Sequence, residues 1–172
     1  MPTISVTRLR VRKWRYLPSF VVWSLRSASQ AKKAPGNLGV QLLRDQNNTY
    51  WTKTVWKDEA AVRAYMVSEP HRSAMPKLLE WCDEASLVRW TQDDATLPSW
   101  KDAHRRLERE GRPSKVNHPS DAHPTLKFPP PADVSGTLRY PTALPAARCA
   151  VIVSRKRWTL AAIVAFSSSF TQ

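Results

Sequence analysis

LGVQLLRDQNNTYWTKTVWK, residues 38–57, reads as two strands joined by a tight turn. Leu38 to Arg44 and Thr49 to Lys57 are rich in aliphatic, β-branched and aromatic residues, which fit a pleated, half-buried surface. Asp45-Gln46-Asn47-Asn48 lies between them. Asp and Asn bond their own backbone and tolerate left-handed conformation, so this tetrapeptide turns the chain. A short turn between two such runs implies an antiparallel hairpin.

Working outward, residues 4–12, ISVTRLRVR, alternate as a strand. Thr7, Leu9 and Val11 share one face, and Val6, Arg8, Arg10 and Arg12 the other. The segment from Pro18 to Ala34 follows as a helix, with proline near its start and Arg26, Lys32 and Lys33 in its last half, where the helix dipole favours cations. Pro35-Gly36-Asn37 stops it. Beyond the hairpin, Asp58 caps a second helix carrying Val62, Tyr65 and Met66 on one stripe. Pro70 interrupts, a helical run continues from His71 to Cys82, and Ala85 to Trp90 forms a fourth strand. The order β-α-β-β-α-β predicts an α+β, ferredoxin-like domain whose helices cover one face of a four-stranded antiparallel sheet. The other face stays open unless something covers it. Strand faces carrying Val40, Leu42, Tyr50 and Trp56 are too apolar to leave wet, which points to dimerisation through that face.

The 172 residues hold 27 Lys and Arg against 14 Asp and Glu, a net charge of +13. The excess is uneven: +8 over residues 1–92, +1 over 93–131 and +4 over 132–172. Six of the eight Trp fall within 1–92, whereas eight of the 14 Pro fall between Pro113 and Pro145. The folded domain is therefore expected over 3–92, with a helical and extended arm over 93–131 and an irregular, poorly ordered tail over 132–172. In the arm, Ser99 with Asp102 resembles a capping box, and Trp100, Ala103 and Leu107 make a thin apolar stripe on a C-terminal helix closed by Gly111. Two Cys are too few for a disulfide scaffold, and the scattered His residues lack metal-ligand spacing, so no metal site is expected. No apolar run reaches the ~20 residues of a membrane-crossing helix, and Met1 to Val11 alternates, unlike a secretory signal. A cytoplasmic location is the default.

PGNLGVQLLRD (35–45) followed by TYWTKTVWKDEAAVRAYMVSEPHRSAM (49–75) resembles the antibiotic-biosynthesis monooxygenase family of dimeric α+β barrels. The resemblance covers about residues 3–92. It implies a homodimer of paired sheets, a ligand pocket between the sheet and helices of one protomer, and membership of a group that includes cofactor-free oxygenases, haem-degrading enzymes and members without known activity. In the haem-degrading branch the catalytic Trp falls at Tyr65, the axial His at Met75, and an Asn near Thr7. Departures at all three positions argue against haem and leave no cofactor expected.

Oxidation of a small aromatic substrate without a cofactor needs walls for the ring, a base and a positive charge to steady the anion. The candidates are His71 and Tyr65 as catalytic residues, and Arg8, Arg10, Tyr50, Trp56, Met75 and Arg89 as ligand-binding ones. Structural roles compete for each. Trp and Tyr on strands are commonly core, Met75 fits an apolar helix face, and a buried Arg demands an anion, either a carboxylate of the protein or a ligand. The leading reading is a monooxygenase-like protein. The alternatives are a non-catalytic small-ligand-binding or structural dimer of the same fold, and a polyanion binder. Nucleic acid ranks lowest as a partner, because the basic run Arg8 to Arg15 is divided between the two faces of a strand.

Overall fold

Residues Thr3–Val11 form β1 at the centre of the sheet, where alternation lets one strand serve two layers. The computed structural model describes residues 1–132 and 137–140. A short 3-10 turn, Trp14–Tyr16, leads into α1, Leu17–Lys33. Then come β2 (Asn37–Arg44), β3 (Thr49–Trp56), α2 (Glu59–Met66), α3 (His71–Trp81) and β4 (Cys82–Thr91). The expected β-α-β-β-α-β order is present. The helical part between β3 and β4 is split over residues 67–70 into α2 and α3, where the sequence placed the interruption. Asn47 and Asn48 adopt φ of 53° and 55° in the β2–β3 turn, the left-handed region that Asn tolerates. The Asp58 side chain accepts from the Ala61 amide at 2.8 Å and caps α2.

The sheet has six strands, in the order β5-β4-β1-β3-β2-β6, instead of the expected four. The additions are short edge strands. β5, Arg112–Pro113, pairs with β4, and β6, Thr137–Tyr140, pairs with β2. Residues 137–140 thus belong to the sheet. The rest of the irregular tail expected beyond Ala132 lies outside the described residues.

The two faces carry different layers. α1, α2 and α3 cover one, packing Ala28, Ala31 and Val62 against Val40 and Trp56. Toward its other end the same face packs Phe20 against Val11 and Cys82, with Leu9 and Tyr50 beside them. Val40, Leu42, Tyr50 and Trp56 therefore face these helices and not an open side, which corrects the face expected for them. The opposite face is built from Ile4, Val6, Leu43, Trp51, Val55 and Val88. It is covered by α4, Trp100–Glu110, of the same chain through Trp100, Ala103 and Leu107. Ala103 and Leu107 are fully buried. The face assigned to a second protomer is occupied in cis.

α4 starts where the sequence placed it. The Ser99 hydroxyl accepts from the Asp102 amide at 3.1 Å and donates to the Asp102 carboxylate at 2.6 Å. It ends at Gly111, whose amide donates to the Leu107 carbonyl at 2.9 Å. A Cβ at Gly111 would lie 2.1 Å from that same oxygen, so no side chain fits there. The chain then wraps the β4 edge. Ser114, Asn117 and Ser120 donate backbone bonds to the carbonyls of Ala85, Leu79 and Asp83. Two arm histidines are structural ties: the His104 Nε2–H donates to the Phe128 carbonyl at 2.7 Å, and the His123 Nε2–H to that of Ser114 at 3.0 Å.

Candidate active site

Small hydroxyl side chains on the helix-facing side of the central strands leave room above the sheet. The β1–β3 register places Ser5 opposite Thr54 and Thr7 opposite Thr52. On the other side of β1, Ser5 faces Arg89 and Thr7 faces Leu87. These side chains are short, and Leu or Phe in their place would fill the space above them. Instead a mostly apolar cavity of about 500 Å3 lies between sheet and helix layer. α1 contributes Phe20, Trp23 and Ser27 to its walls, α2 Tyr65 and Met66, and α3 His71 and Met75. Trp56 closes the β3 side, and Ser114 and Lys115 of the arm join the rim. A site of this volume and composition is the ordinary form of a small-molecule pocket.

His71 opens α3 and is fixed on two sides. Its backbone amide donates to the Gln30 Oε1 of α1 at 2.8 Å. Its Nδ1 lies 3.3 Å from the Met66 carbonyl. A carbonyl only accepts, so Nδ1 carries the proton and Nε2 keeps its lone pair. Burial holds the imidazole below its ordinary titration range, outweighing the Met66 bond, so it is neutral near pH 7. That is the protonation state of a general base.

Tyr65 stacks on His71 at 4.5 Å and on Trp56 at 5.0 Å between ring centroids. Its hydroxyl donates to the Ser27 carbonyl at 3.2 Å, and burial pushes the phenol well above its ordinary range. Tyr65 is therefore a neutral wall and donor and not a base. Trp56 is fully buried, and its indole N–H donates to the Thr54 hydroxyl at 2.8 Å.

Arg89 is the cationic member of the cavity lining from the sheet. Its Nη1 lies 4.0 Å from Glu59 Oε1, and that oxygen also accepts from Arg63 at 2.9 Å. Among the described residues its Nη2 meets the soft Met66 sulfur, at 3.1 Å, and its buried Nε has no hydrogen-bond partner. Burial lowers the guanidinium's pKa most, Glu59 opposes this, and the positive charges of Arg112 and Arg63 lower it further. An anion in the cavity would satisfy this group.

The structure thus brings His71, Tyr65, Trp56, Met75 and Arg89 to one cavity. Met75 stands at the rim, 42% exposed, and not in the core as an apolar helix position suggested. Arg8, Arg10 and Tyr50 are elsewhere. Tyr50 packs on Phe20 with ring centroids 4.7 Å apart, outside the cavity lining. Arg8 and Arg10 point to the α4 face, because β1 alternation sends them opposite to Thr7 and Leu9. There Arg8 pairs with the fully buried Glu84 and sits 3.8 Å from the Phe128 ring centroid. Arg10 holds Asp83 by two parallel bonds of 2.8 and 3.0 Å and reaches Glu84 at 2.8 Å. Their carboxylate partners come from β4, and neither arginine lines this cavity. Burial still lowers the Arg8 pKa despite Glu84, while the Asp83 bond raises that of Arg10.

Sequence reasoning missed the floor of Ser5, Thr7, Thr52 and Thr54. Its signal was present: two central strands each place small hydroxyls at i, i+2 on the helix side. Cys82 is a free, fully buried thiol whose pKa burial pushes up to about 12, and it takes no part. Among the described residues no group of three or more His, Cys, Asp or Glu is placed to hold a metal ion, and no helix is long and apolar enough to cross a membrane.

Residues 24–77 match the family model described as antibiotic biosynthesis monooxygenase. That segment runs from α1 through the hairpin to α3 and carries Trp56, Tyr65, His71 and Met75. No curated protein matches the chain. Among solved structures, a candidate antibiotic biosynthesis monooxygenase from Nitrosomonas europaea is 14% identical, with a TM-score of 0.50 over 56% of this chain and 94% of that one. Rv0793 from Mycobacterium tuberculosis is 9% identical, with a TM-score of 0.51 over 56% of this chain and 100% of that one. SnoaB, a cofactor-independent oxygenase from Streptomyces nogalater, is 24% identical, with a TM-score of 0.44 over 57% of this chain and 98% of that one. Residues 24–77 are thus similar to the antibiotic biosynthesis monooxygenase family, and the domain shares the ferredoxin-like α+β fold of these solved structures.

Proposed function

We propose that the chain is a monooxygenase that oxidises a small aromatic substrate in this cavity, with molecular oxygen as co-reactant and no resident cofactor. The observation that carries the reading is one apolar cavity holding both a neutral His71 and the incompletely paired Arg89. A phenol or anthrone would lie against Trp56 and Tyr65. The lone pair on His71 Nε2 takes a proton from it, and Arg89 steadies the resulting oxyanion. The anion passes electrons to oxygen, and the two recombine. For a CH2 group the balance is CH2 + O2 → C=O + H2O, with one oxygen atom retained and the other leaving in water. A cytoplasmic setting is part of the proposal, in keeping with the free Cys82 thiol. A homodimer of this chain would use surfaces other than the one α4 fills.

Oxygen uptake with anthrone as probe tests the reading. We expect uptake above the uncatalysed rate, matched one to one by quinone formation, and a loss of about 10²-fold or more in His71→Ala. Uptake at the blank rate with anthrone bound would favour a non-catalytic ligand-binding protein of the same fold.

A further inference from the structure

The first acidic residue of the chain is Asp45, and nine Lys or Arg precede it. Three of them, Arg8, Arg10 and Arg12, are held by carboxylates of the fold. Of the others, Arg26 is exposed on α1. Lys13 and Arg15 are exposed, and Trp14 between them is 80% exposed, the most exposed large apolar side chain of the described residues. The turn continues into α1, whose outward positions Pro18, Ser19, Val22 and Arg26 recur at helical spacing. Val22 is 45% exposed. Beside this stripe, Trp23 lies under two cations, with Arg26 at 5.6 Å and Lys77 of α3 at 5.1 Å from its ring. Glu80 is the acidic neighbour of Arg15, and it is already taken by Arg12 and the Tyr16 hydroxyl.

From this juxtaposition of an unburied Trp, flanking cations and an acid-free helix face we propose that the outer face of α1 docks on a membrane surface bearing anionic lipid headgroups. A basic turn carrying Trp beside a helix that lies flat is the chemistry of an interfacial anchor, with the indole at the headgroup level and the cations on the lipid phosphates. Charge complementarity selects an anionic leaflet. The exposed Trp and Val select a surface with an apolar interior over a hydrated polyanion. Trp23 of α1 and Met75 of α3 also line the cavity, so the helix layer proposed to dock forms part of the cavity wall.

The test uses the full chain and vesicle sedimentation. Vesicles of phosphatidylcholine with phosphatidylglycerol should carry the protein down at physiological ionic strength, and vesicles of phosphatidylcholine alone should not. Trp14→Ala should weaken binding about tenfold, the share of one large apolar side chain. Lys13→Gln with Arg15→Gln should weaken it about thirtyfold, since each cation near an anionic surface contributes about fivefold. All three side chains are exposed, so circular dichroism should match the parent protein. Failure to bind the anionic vesicles overturns the proposal, as does binding that both variants retain. Loss in the double cation variant with full retention in Trp14→Ala, together with tight binding of a duplex oligonucleotide, overturns it in favour of nucleic acid.

Discussion

Replacing Leu107 by Ala tests whether α4 is part of the core. Leu107 is fully buried among Ile4, Val6 and Trp51 on the sheet face opposite the other helices. The substitution removes three carbons. At about 0.8 kcal/mol for each buried CH2, the transfer loss is about 2.4 kcal/mol. The Trp rings and central strands around the site relax little, so a residual cavity adds about 1–2 kcal/mol. The expected loss is therefore about 3–4 kcal/mol, a large share of the ~5–15 kcal/mol that holds a typical domain. Urea unfolding followed by Trp emission measures it. Arg109→Ala, whose side chain is 71% exposed on the same helix, is the control and should stay within about 0.5 kcal/mol. A loss below about 1 kcal/mol in Leu107→Ala would mean that α4 does not dock on the sheet.

Glu84→Gln leaves Arg8 buried without its counter-ion and should cost about 3–5 kcal/mol, whereas Arg8→Met with Glu84→Gln should recover much of that loss. An unchanged melting temperature in the single variant would refute the pairing. Trp56→Ala should destabilise by about 3–5 kcal/mol, since its ring is fully buried against Tyr65; melting at the parent temperature would show that the ring carries no packing. His71 titrates below its ordinary value in the folded chain, so the unfolded chain binds the extra proton first. Its contribution to stability is then full above pH ~6.5 and is lost as pH falls through the lower folded value. Comparing melting temperature against pH in the parent and in His71→Gln isolates this, and a His71 contribution that grows as pH falls would contradict the burial described.

What was legible in the sequence was local. The Asn47-Asn48 turn, the Asp58 cap and the Ser99 cap each reside in a few adjacent residues whose side chains bond the neighbouring backbone. Alternation and helical stripes then gave the order of elements. What was not legible depended on residues far apart in the chain. The stripe Trp100, Ala103, Leu107 announced a docking helix without naming its surface. The partner of Arg8 stands 76 residues away, at Glu84. Alternation showed that Arg8 and Arg10 share a face, but which layer covers that face is a tertiary fact. The cavity was missed for a related reason. A void is made by what is small, and Ser5, Thr7, Thr52 and Thr54 become a floor only after β1 and β3 are put in register. Two edge strands of two and four residues carry too little pattern to be read at all.

The covering of the second sheet face by α4 has a thermodynamic consequence. When a separate protomer supplies such a cover, the stability of the sheet rises and falls with protein concentration by mass action. Here the cover is tethered by the chain between Thr91 and Trp100. Its docking is unimolecular, and dilution does not remove it. The sheet and the cavity floor resting on its other face should therefore be as well formed at nanomolar as at micromolar concentration. The chain has converted a problem of assembly into one of loop closure, whose cost grows only slowly with the length of the connection.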